Sequence, residues 1–146
     1  MELVRMNQEK GRSVFYNNDH YVKVWNKDTI TPEWINEHVQ LLKNLVPGYV
    51  IDHGNNWIAF KEINGIPANL FDHSAEFVQR IRQFCLDNIK QTYPYAHGDW
   101  TLSNMIVDHD KITMIDWDNV GIYTEEEVYN KMNSDLKSAF GDLYVF

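Results

Sequence analysis

The stretch "HGDWTLSNMIV", residues 97–107, decides the fold prediction for this chain. It places a histidine, an aspartate and an asparagine in an H-x-D-x-x-x-x-N spacing directly before an apolar run. A match to this spacing arises by chance in about one of 50 chains of this length, so alone it is only suggestive. The sequence that follows makes it more specific, because "KITMIDWD", residues 111–118, ends in two aspartates separated by one residue.

The runs "NMIV" and "KITMID" predict a β-hairpin that turns at residues 108–110. A hairpin returns its second strand beside its first, so we expect Asn104 and Asp116 to converge on one point. An amide oxygen and a carboxylate suit Mg²⁺ when substrate phosphates and water complete its octahedron. Asp118 is a further candidate ligand, or alternatively a cap of the following turn. Asp99 would lie beside the metal without binding it, which is the position of a general base.

The first half of the chain is rich in strand patterns. "SVFYNNDHYVKVW", residues 13–25, predicts a hairpin, because apolar runs flank three residues that turn easily. A helix is predicted from Pro32 to about Val46, with Thr31 as its N-cap. "GYVIDHGNNWIAFKEI", residues 48–63, predicts two further strands around a turn.

The second half adds helices. "SAEFVQRIRQFCLDNIKQ", residues 74–91, has apolar residues near a 3.6-residue period, which predicts an amphipathic helix with Cys85 in the core. "TEEEVYNKM", residues 124–132, predicts a helix that Thr124 caps and whose acidic first turn complements the helix dipole. The alternative for that turn is an acidic patch for a cationic acceptor.

This order of elements predicts an α+β fold in two lobes. The joint is expected near "EINGIPA", residues 62–68, where Gly65 and Pro67 interrupt the strand pattern. We place the boundary after residue 65, with a strand-rich lobe containing one helix over 1–65 and a mainly helical lobe over 66–146.

Composition excludes several classes of protein. With 44% hydrophobic residues the chain is globular rather than disordered. A formal charge of -8 argues against nucleic acid and anionic membranes as partners, since neither finds a basic stripe to bind. The polar amino terminus, the lack of a long apolar run and the single cysteine predict a soluble protein in the reducing cytoplasm.

Two charged residues stand in apolar surroundings. Lys23 lies in the middle of an apolar and aromatic strand, where a lysine is expected only at an exposed edge. Glu37 lies on the predicted helix stripe formed by Trp34, Glu37, Leu41 and Leu45, an unfavourable place for a carboxylate without a cationic partner. An ion pair between Lys23 and Glu37 would account for both, and the alternative is that both face solvent.

Together these residues resemble the protein-kinase-like fold, and more narrowly its aminoglycoside and choline phosphotransferase branch. In that family an HGD-x-x-x-x-N loop carries the catalytic base and a metal ligand, and an "ID-aromatic" segment carries the second ligand. By position, the resemblance makes Asp99 the catalytic base, Asn104 a magnesium ligand and Asp116 the principal one, while His97 braces the loop. It implies a kinase that moves the γ-phosphoryl group of ATP, with Mg²⁺, to a hydroxyl of a small molecule such as a sugar, an aminoglycoside or a choline-like acceptor.

The resemblance extends over residues 8 to about 121 and assigns the nucleotide site to the strand-rich lobe. "YVKVW" supplies Lys23 for the α and β phosphates, and "INEHVQLL" supplies Glu37 as the partner of this lysine. "EKGRSVFY", residues 9–16, stands where the phosphate-covering loop belongs, with Gly11 and Ser13 to represent it. "FKEINGIP" is similar to the family's hinge, whose backbone at Glu62 and Ile63 would hold adenine.

The sequence also departs from the family. The phosphate loop has one glycine rather than three, and Thr101 stands where protein kinases carry lysine, which counts against protein substrates. Only 28 residues follow Asp118, so the expected C-terminal lobe is reduced, and the acceptor site is small or is completed by a second chain.

Three further questions stay open. A kinase-like domain with so small an acceptor site could bind nucleotide without turnover, or Asp99, Asp116 and Asp118 could form the metal cluster of a phosphoester hydrolase. The apolar tail "DLKSAFGDLYVF", residues 135–146, either packs back on the helix containing Phe77 or joins a homodimer.

Overall fold

The structure is a computed structural model that describes residues 2–7 and 11–145. It contains antiparallel strands and, among the described residues, three α-helices, which confirms the mixed α and β class. The chain divides into two compact units, Met1–Glu62 and Ile63–Phe146, each described by itself below. The predicted boundary after residue 65 lies three residues further on, and the assignment of two kinase-like lobes stays a prediction.

The first unit is built on a five-stranded antiparallel sheet in the order β1-β2-β3-β5-β4. Its strands are β1 (Glu2–Asn7), β2 (Arg12–Asn17), β3 (His20–Trp25), β4 (Val50–His53) and β5 (Trp57–Lys61). The predicted hairpin is formed by β2 and β3, with Asn18 in a left-handed conformation at the turn (φ 63°). Because β3 is the central strand, Lys23 is paired on both sides, with Val14 and with Ile58.

Helix α1 (Pro32–Leu45) contacts β4 and β5. It begins as predicted, with the Thr31 hydroxyl accepting a hydrogen bond from the Trp34 N–H at 3.1 Å. The predicted buried stripe is wrong, however, because the buried face carries Ile35, His38, Val39 and Leu42, and Glu37 is exposed. Two adjacent stripes of this helix are apolar, and packing on the sheet selects the one with i, i+4 and i+7 spacing.

The second unit contains two small antiparallel sheets. The first joins β6 (Ile66–Pro67), β8 (Met105–Asp108) and β9 (Lys111–Met114), and the second pairs β7 (Tyr95–Ala96) with β10 (Gly121–Ile122). The hairpin predicted around residues 108–110 is confirmed as β8 and β9, with His109 in a left-handed conformation at the turn (φ 53°).

Two helices, α2 (Ala75–Thr92) and α3 (Glu125–Phe140), form the rest of this unit. The stripe of α2 buries Phe77, Ile81, Cys85 and Ile89, as its period predicts. Burial raises the pKa of the Cys85 thiol, which is consistent with a core residue. In the described part of the chain, no helix has both the length and the apolar composition to cross a membrane.

The apolar tail is partly covered by the chain itself. The Phe140 ring packs edge-on to Phe77 of α2 with 6.3 Å between ring centres. Leu136 and Tyr144 are also buried, whereas Leu143 and Val145 are exposed. Phe146, which completes the predicted cluster, lies outside the described residues. Most of the tail therefore packs back on the unit that contains it.

Candidate active site

The loop predicted to carry the catalytic base runs from β7 to β8 and is held from inside by His97. This side chain is fully buried, and its Nε2 lies 2.8 Å from the Ile115 carbonyl oxygen. Its Nδ1 accepts a hydrogen bond from the Asp99 N–H at 3.2 Å, so geometry assigns the proton to Nε2. His97 thus joins the loop that carries Asp99 to the segment after β9, which is the bracing role predicted for it.

The backbone conformation and the close surroundings of residue 98 require a glycine after His97. Its φ is 88°, and a Cβ here would lie 2.6 Å from the Asn119 carbonyl oxygen and 3.2 Å from the Asn119 Cβ. A side chain at position 98 would therefore meet both a backbone penalty and a contact with backbone that cannot move freely. The glycine lets the loop that carries Asp99 approach the turn that follows Asp116.

Asp99, the predicted base, is half-buried. Its Oδ1 accepts a hydrogen bond from the Thr101 N–H at 3.4 Å, a long bond that leaves most of the carboxylate's capacity for other partners. The next backbone N–H, that of Trp100, donates to Oδ2 of Asp135 at 3.0 Å. The backbone on both sides of the Asp99 carboxylate is thus fixed by side-chain contacts, from His97 and from Asp135.

Asp135 was not anticipated from the sequence. It lies on α3, 35 residues after Trp100, and its other oxygen, Oδ1, lies 2.8 Å from Nζ of Lys131. The pKa of Lys131 is raised, chiefly by the hydrogen bond to Asp135 and in smaller part by the charge of Asp99. The i,i+4 spacing of Lys131 and Asp135 was a visible signal for the pair, but nothing in the sequence indicates the contact with Trp100.

The backbone of Asn104 lies against Ile115, the residue before Asp116, and the convergence of the two side chains stays a prediction. The β8–β9 ladder continues one residue beyond the Met105–Met114 pair, because the Ile115 N–H donates to the Asn104 carbonyl oxygen at 2.8 Å. Asp116, the next residue, is half-buried and has a left-handed backbone (φ 61°). Such a conformation is uncommon for a residue with a Cβ, although Asp, Asn and His adopt it more often than other residues, as Asn18 and His109 do at the hairpin turns.

The segment around Asp116 is anchored by Trp117. This indole is buried, and its Nε1–H donates to the Met114 carbonyl oxygen at 3.1 Å. Its ring also packs edge-on to His97 with 4.6 Å between ring centres. Asp118, also half-buried, follows in the turn at residues 118–119. These two contacts of Trp117 hold in place the short segment that contains Asp116 and Asp118.

The residues present fit a hard cation such as Mg²⁺. Asn104 is buried, and its Nδ2 donates to the Asp99 carbonyl oxygen at a long 3.5 Å, which leaves the amide oxygen as the atom available to a metal. Asp116 and Asp118 would add carboxylate oxygens, and magnesium leaves its other positions to phosphates and water. No group of three or more His, Cys, Asp or Glu suited to a metal occurs among the described residues, and the hydrolase alternative stays a prediction.

Lys23, in the first unit, is buried in the central strand, with 6% of its surface exposed. Its Nζ lies 5.3 Å from the centre of the Phe60 ring, within the range of a cation–π contact. The alternative that Lys23 faces solvent is therefore wrong, whereas for Glu37 it is the observed state. The ion pair between the two stays a prediction.

The region predicted to cover phosphates is described only in part. Glu9 and Lys10 lie outside the described residues. Gly11 is left-handed (φ 60°), and its carbonyl oxygen accepts the Asn26 N–H at 2.6 Å. Ser13 is half-buried in β2 opposite Val24. The roles of Gly11 and Ser13 in nucleotide binding stay predictions.

The predicted hinge has one backbone donor already in use. The Glu62 N–H donates to the Asp19 carbonyl oxygen at 3.3 Å, and its carboxylate accepts the Tyr16 hydroxyl at 3.1 Å. A donor to adenine must therefore come from neighbouring backbone, such as the half-buried Ile63. The roles of Glu62 and Ile63 in holding adenine stay predictions.

Comparison with known proteins adds one finding. The model of the phosphotransferase enzyme family matches residues 49–124, more than half of the chain. That range contains the loop of Asp99, the adjoining Asn104 and Asp116, and Asp118, while Lys23 and Glu37 precede it. No curated protein matches the sequence. With the family pattern on the residues that the fold brings together around Asp99, the chain belongs to the phosphotransferase enzyme family.

Proposed function

We propose that this protein is an ATP-dependent phosphotransferase that moves a γ-phosphoryl group to a hydroxyl of a small molecule. One observation carries the proposal. The bonds from His97 to Ile115 and from Ile115 to Asn104 join the loop of the half-buried Asp99 to the backbone of Asn104 and to the segment that carries the left-handed Asp116. A base next to oxygen ligands for a cation is the arrangement that phosphoryl transfer requires.

In the proposed reaction Asp99 orients the acceptor hydroxyl and accepts its proton. The acceptor oxygen forms a bond to the γ-phosphorus as the bond from that phosphorus to the β,γ-bridging oxygen breaks, and ADP leaves with the bridging oxygen. General base catalysis of this kind contributes roughly 10²- to 10⁴-fold in rate. Because phosphoryl transfer needs positioning more than covalent help, the bracing of the loop by His97 and Asp135 supports this role.

Charge neutralisation would come from two sources. Mg²⁺, when bound at Asn104 and Asp116, supplies positive charge to the phosphate oxygens. Lys23, buried in the central strand of the first unit, would supply the second cation. Gly11, Ser13, Glu62 and Ile63 complete the proposed nucleotide site.

A titration separates this proposal from its alternatives. We expect ATP to raise the melting temperature only with Mg²⁺ present, and ADP to be released when a suitable acceptor is added from a panel of sugars, aminoglycosides and choline. A shift without turnover on any acceptor would favour a nucleotide-binding module. Release of phosphate from simple esters without ATP would favour a hydrolase.

The composition of the chain and its exposed tail support proposals for its compartment, partners and assembly. We propose that the protein works in the cytoplasm on a small hydroxyl acceptor, without nucleic acid or membrane, because it is acidic and has one buried cysteine. A homodimer through the exposed part of the tail, Leu143 and Val145, is proposed as the assembly that would add a wall to the acceptor site. A monomer by light scattering at micromolar concentration would remove the homodimer.

A further inference from the structure

A cavity of about 230 Å³ lies in the second unit, between the base-bearing loop and the first turns of α3. Its walls include Gly98 and Trp100 from the loop, Tyr123, and Glu127 and Lys131 from α3. Nothing in the nucleotide or metal roles assigned above uses Tyr123, Glu127 or Lys131.

The cavity adjoins the proposed base. Gly98 and Trp100, the residues immediately before and after Asp99, both line it. Lys131, on the opposite wall, is near enough to Asp99 for the charge of that carboxylate to contribute to its raised pKa. A ligand held here would therefore lie beside the residue that must accept the proton of the acceptor.

The wall of the cavity contains both a hydrogen-bond donor and a hydrogen-bond acceptor. The Lys131 ammonium is only a donor and uses one of its three N–H groups on Asp135. The Glu127 carboxylate is only an acceptor, and its Oε1 is bonded to the Thr124 N–H at 2.9 Å, which leaves Oε2. A ligand that serves both must donate and accept, and the hydroxyl group does both.

Charge argues against a charged ligand. The two charged residues that line the cavity, Glu127 and Lys131, have opposite sign, so a ligand with a fixed charge is attracted by one and repelled by the other. Asp99, beside the cavity, adds a further cost for an anion. An uncharged polyol is repelled by none of these residues.

Aromatic residues add an apolar face to the cavity. Tyr123 is 39% exposed and can present its ring to a ligand. Trp100 is buried, and its indole N–H has no hydrogen-bond partner among the described residues. A buried donor without a partner is unfavourable, and a hydrogen bond to a ligand oxygen or a water would remove that cost. Aromatic surface beside hydrogen-bonding groups is a typical setting for a small ring that carries hydroxyls.

The volume of the cavity limits the size of the ligand that it can hold. Pockets for drug-sized ligands enclose roughly 300–1,000 Å³, and this cavity, at about 230 Å³, is smaller. We propose that it is the acceptor subsite and that it takes an uncharged, single-ring polyol of monosaccharide size, held by Lys131, Glu127 and the ring of Tyr123. The assignment rests on the proposed function, because only the role of Asp99 makes a ligand here an acceptor.

Three single-ring ligands that differ in charge test whether the preferred ligand is uncharged. Binding of glucose, glucosamine and glucuronate to the intact protein is measured by ligand-observed NMR without nucleotide, together with ribose and myo-inositol as further neutral rings. We expect at least one neutral ring to bind saturably and to bind more tightly than glucuronate. No saturable binding by any neutral ring overturns the proposal, and so does glucosamine binding about tenfold more tightly than every neutral ring.

A matched pair of lysine variants tests the position. Lys131→Met removes the donor in the wall, whereas Lys137→Met makes the same change on the same helix outside the cavity. We expect Lys131→Met to weaken binding of the neutral ring about tenfold or more and Lys137→Met to leave it unchanged. Equal affinities in both variants overturn the site. A Tyr123→Ala variant supplies a second measurement, and affinity unchanged in it as well would confirm that the ring binds elsewhere.

Failure of the subsite and failure of the proposed function give different results. If ATP with Mg²⁺ binds and some other acceptor is phosphorylated while no neutral ring binds, the subsite is wrong and the function stands. If a neutral ring binds in a Lys131-dependent way and ATP does not bind, the proposed function is wrong and with it the acceptor role of the cavity.

Discussion

The carboxylate of Asp135 on α3 accepts a hydrogen bond from the backbone N–H of Trp100 at 3.0 Å. This single contact joins the C-terminal helix to the loop one residue after the proposed base. Only 12% of the Asp135 side chain is exposed, so the bond is largely shielded from water and worth more than a surface contact. The orientation of Asp99 therefore depends on a residue outside its own loop.

Replacing this carboxylate gives the first prediction. Asp135→Ala leaves the buried Trp100 N–H without its partner, and we expect a loss of stability of about 1–3 kcal/mol and a fall in kcat, with KM for ATP nearly unchanged. Denaturant unfolding and initial rates measure both. The control is Asp142→Ala on the exposed tail, and equal losses in the two variants would contradict a loop-positioning role.

Asp99→Asn removes the proposed base and preserves its shape. We expect ATP binding to stay nearly intact while turnover falls by about 10²-fold or more, because the amide cannot accept the acceptor proton. Calorimetric ATP titration and a coupled assay for ADP separate the two effects. Turnover equal to that of the unchanged protein would exclude Asp99 as the base.

Asp116→Ala removes the principal carboxylate of the proposed metal site. We expect the magnesium dependence of nucleotide binding to be lost, measured as the melting temperature with ATP over a series of Mg²⁺ concentrations. Asp108→Ala, at the end of β8 in the exposed turn of the same hairpin, is the control. The same magnesium titration in Asp116→Ala and in the unchanged protein would rule out this ligand.

Gly98→Ala and Gly48→Ala form a matched pair. Both glycines are left-handed, with φ of 88° and 83°, but a Cβ meets the Asn119 carbonyl at position 98 and nothing within 4 Å at position 48. We expect Gly48→Ala to show only the backbone penalty, of the order of 1 kcal/mol, and Gly98→Ala to be more destabilised and to lose turnover. Equal unfolding free energies for the pair would show that the close approach is unimportant.

Glu127 gives a prediction for acidic pH. The hydrogen bond from the Thr124 backbone N–H lowers the pKa of this carboxyl in the folded protein. Its contribution is therefore complete above the ordinary carboxyl pKa of about 4.3 and is lost as the pH falls through the lower folded pKa. We expect Glu127→Gln to melt below the unchanged protein at pH 7 and the difference to shrink below about pH 4.

Glu126→Gln is the control for this measurement, because it makes the same charge change in the same turn without a contact to Thr124. A difference between Glu127→Gln and the unchanged protein that persists undiminished at pH 3 would exclude a contribution from ionised Glu127.

Much of the fold could be predicted because its signals are local. Thr31 and Thr124 cap their helices as expected, since an N-cap bonds a backbone N–H only two or three residues away. The β8–β9 hairpin was likewise predictable, because its register follows from a short turn. That register sets Asn104 against Ile115, the residue before Asp116, so the main elements of the candidate site lie close together in the sequence.

The short-range relationships, namely the helix caps, the hairpins and the pairing of Asn104 with the segment of Asp116, were therefore readable from the sequence. The buried stripe of α1, which leaves Glu37 exposed, the left-handed Gly98 and the contact of Asp135 with the Trp100 backbone became known only from the packed structure. The physical reason is that periodicity states which residues share a helix face. It does not state which face another element covers, or which backbone N–H lies opposite a carboxylate 35 residues away, since these follow from packing of the whole unit.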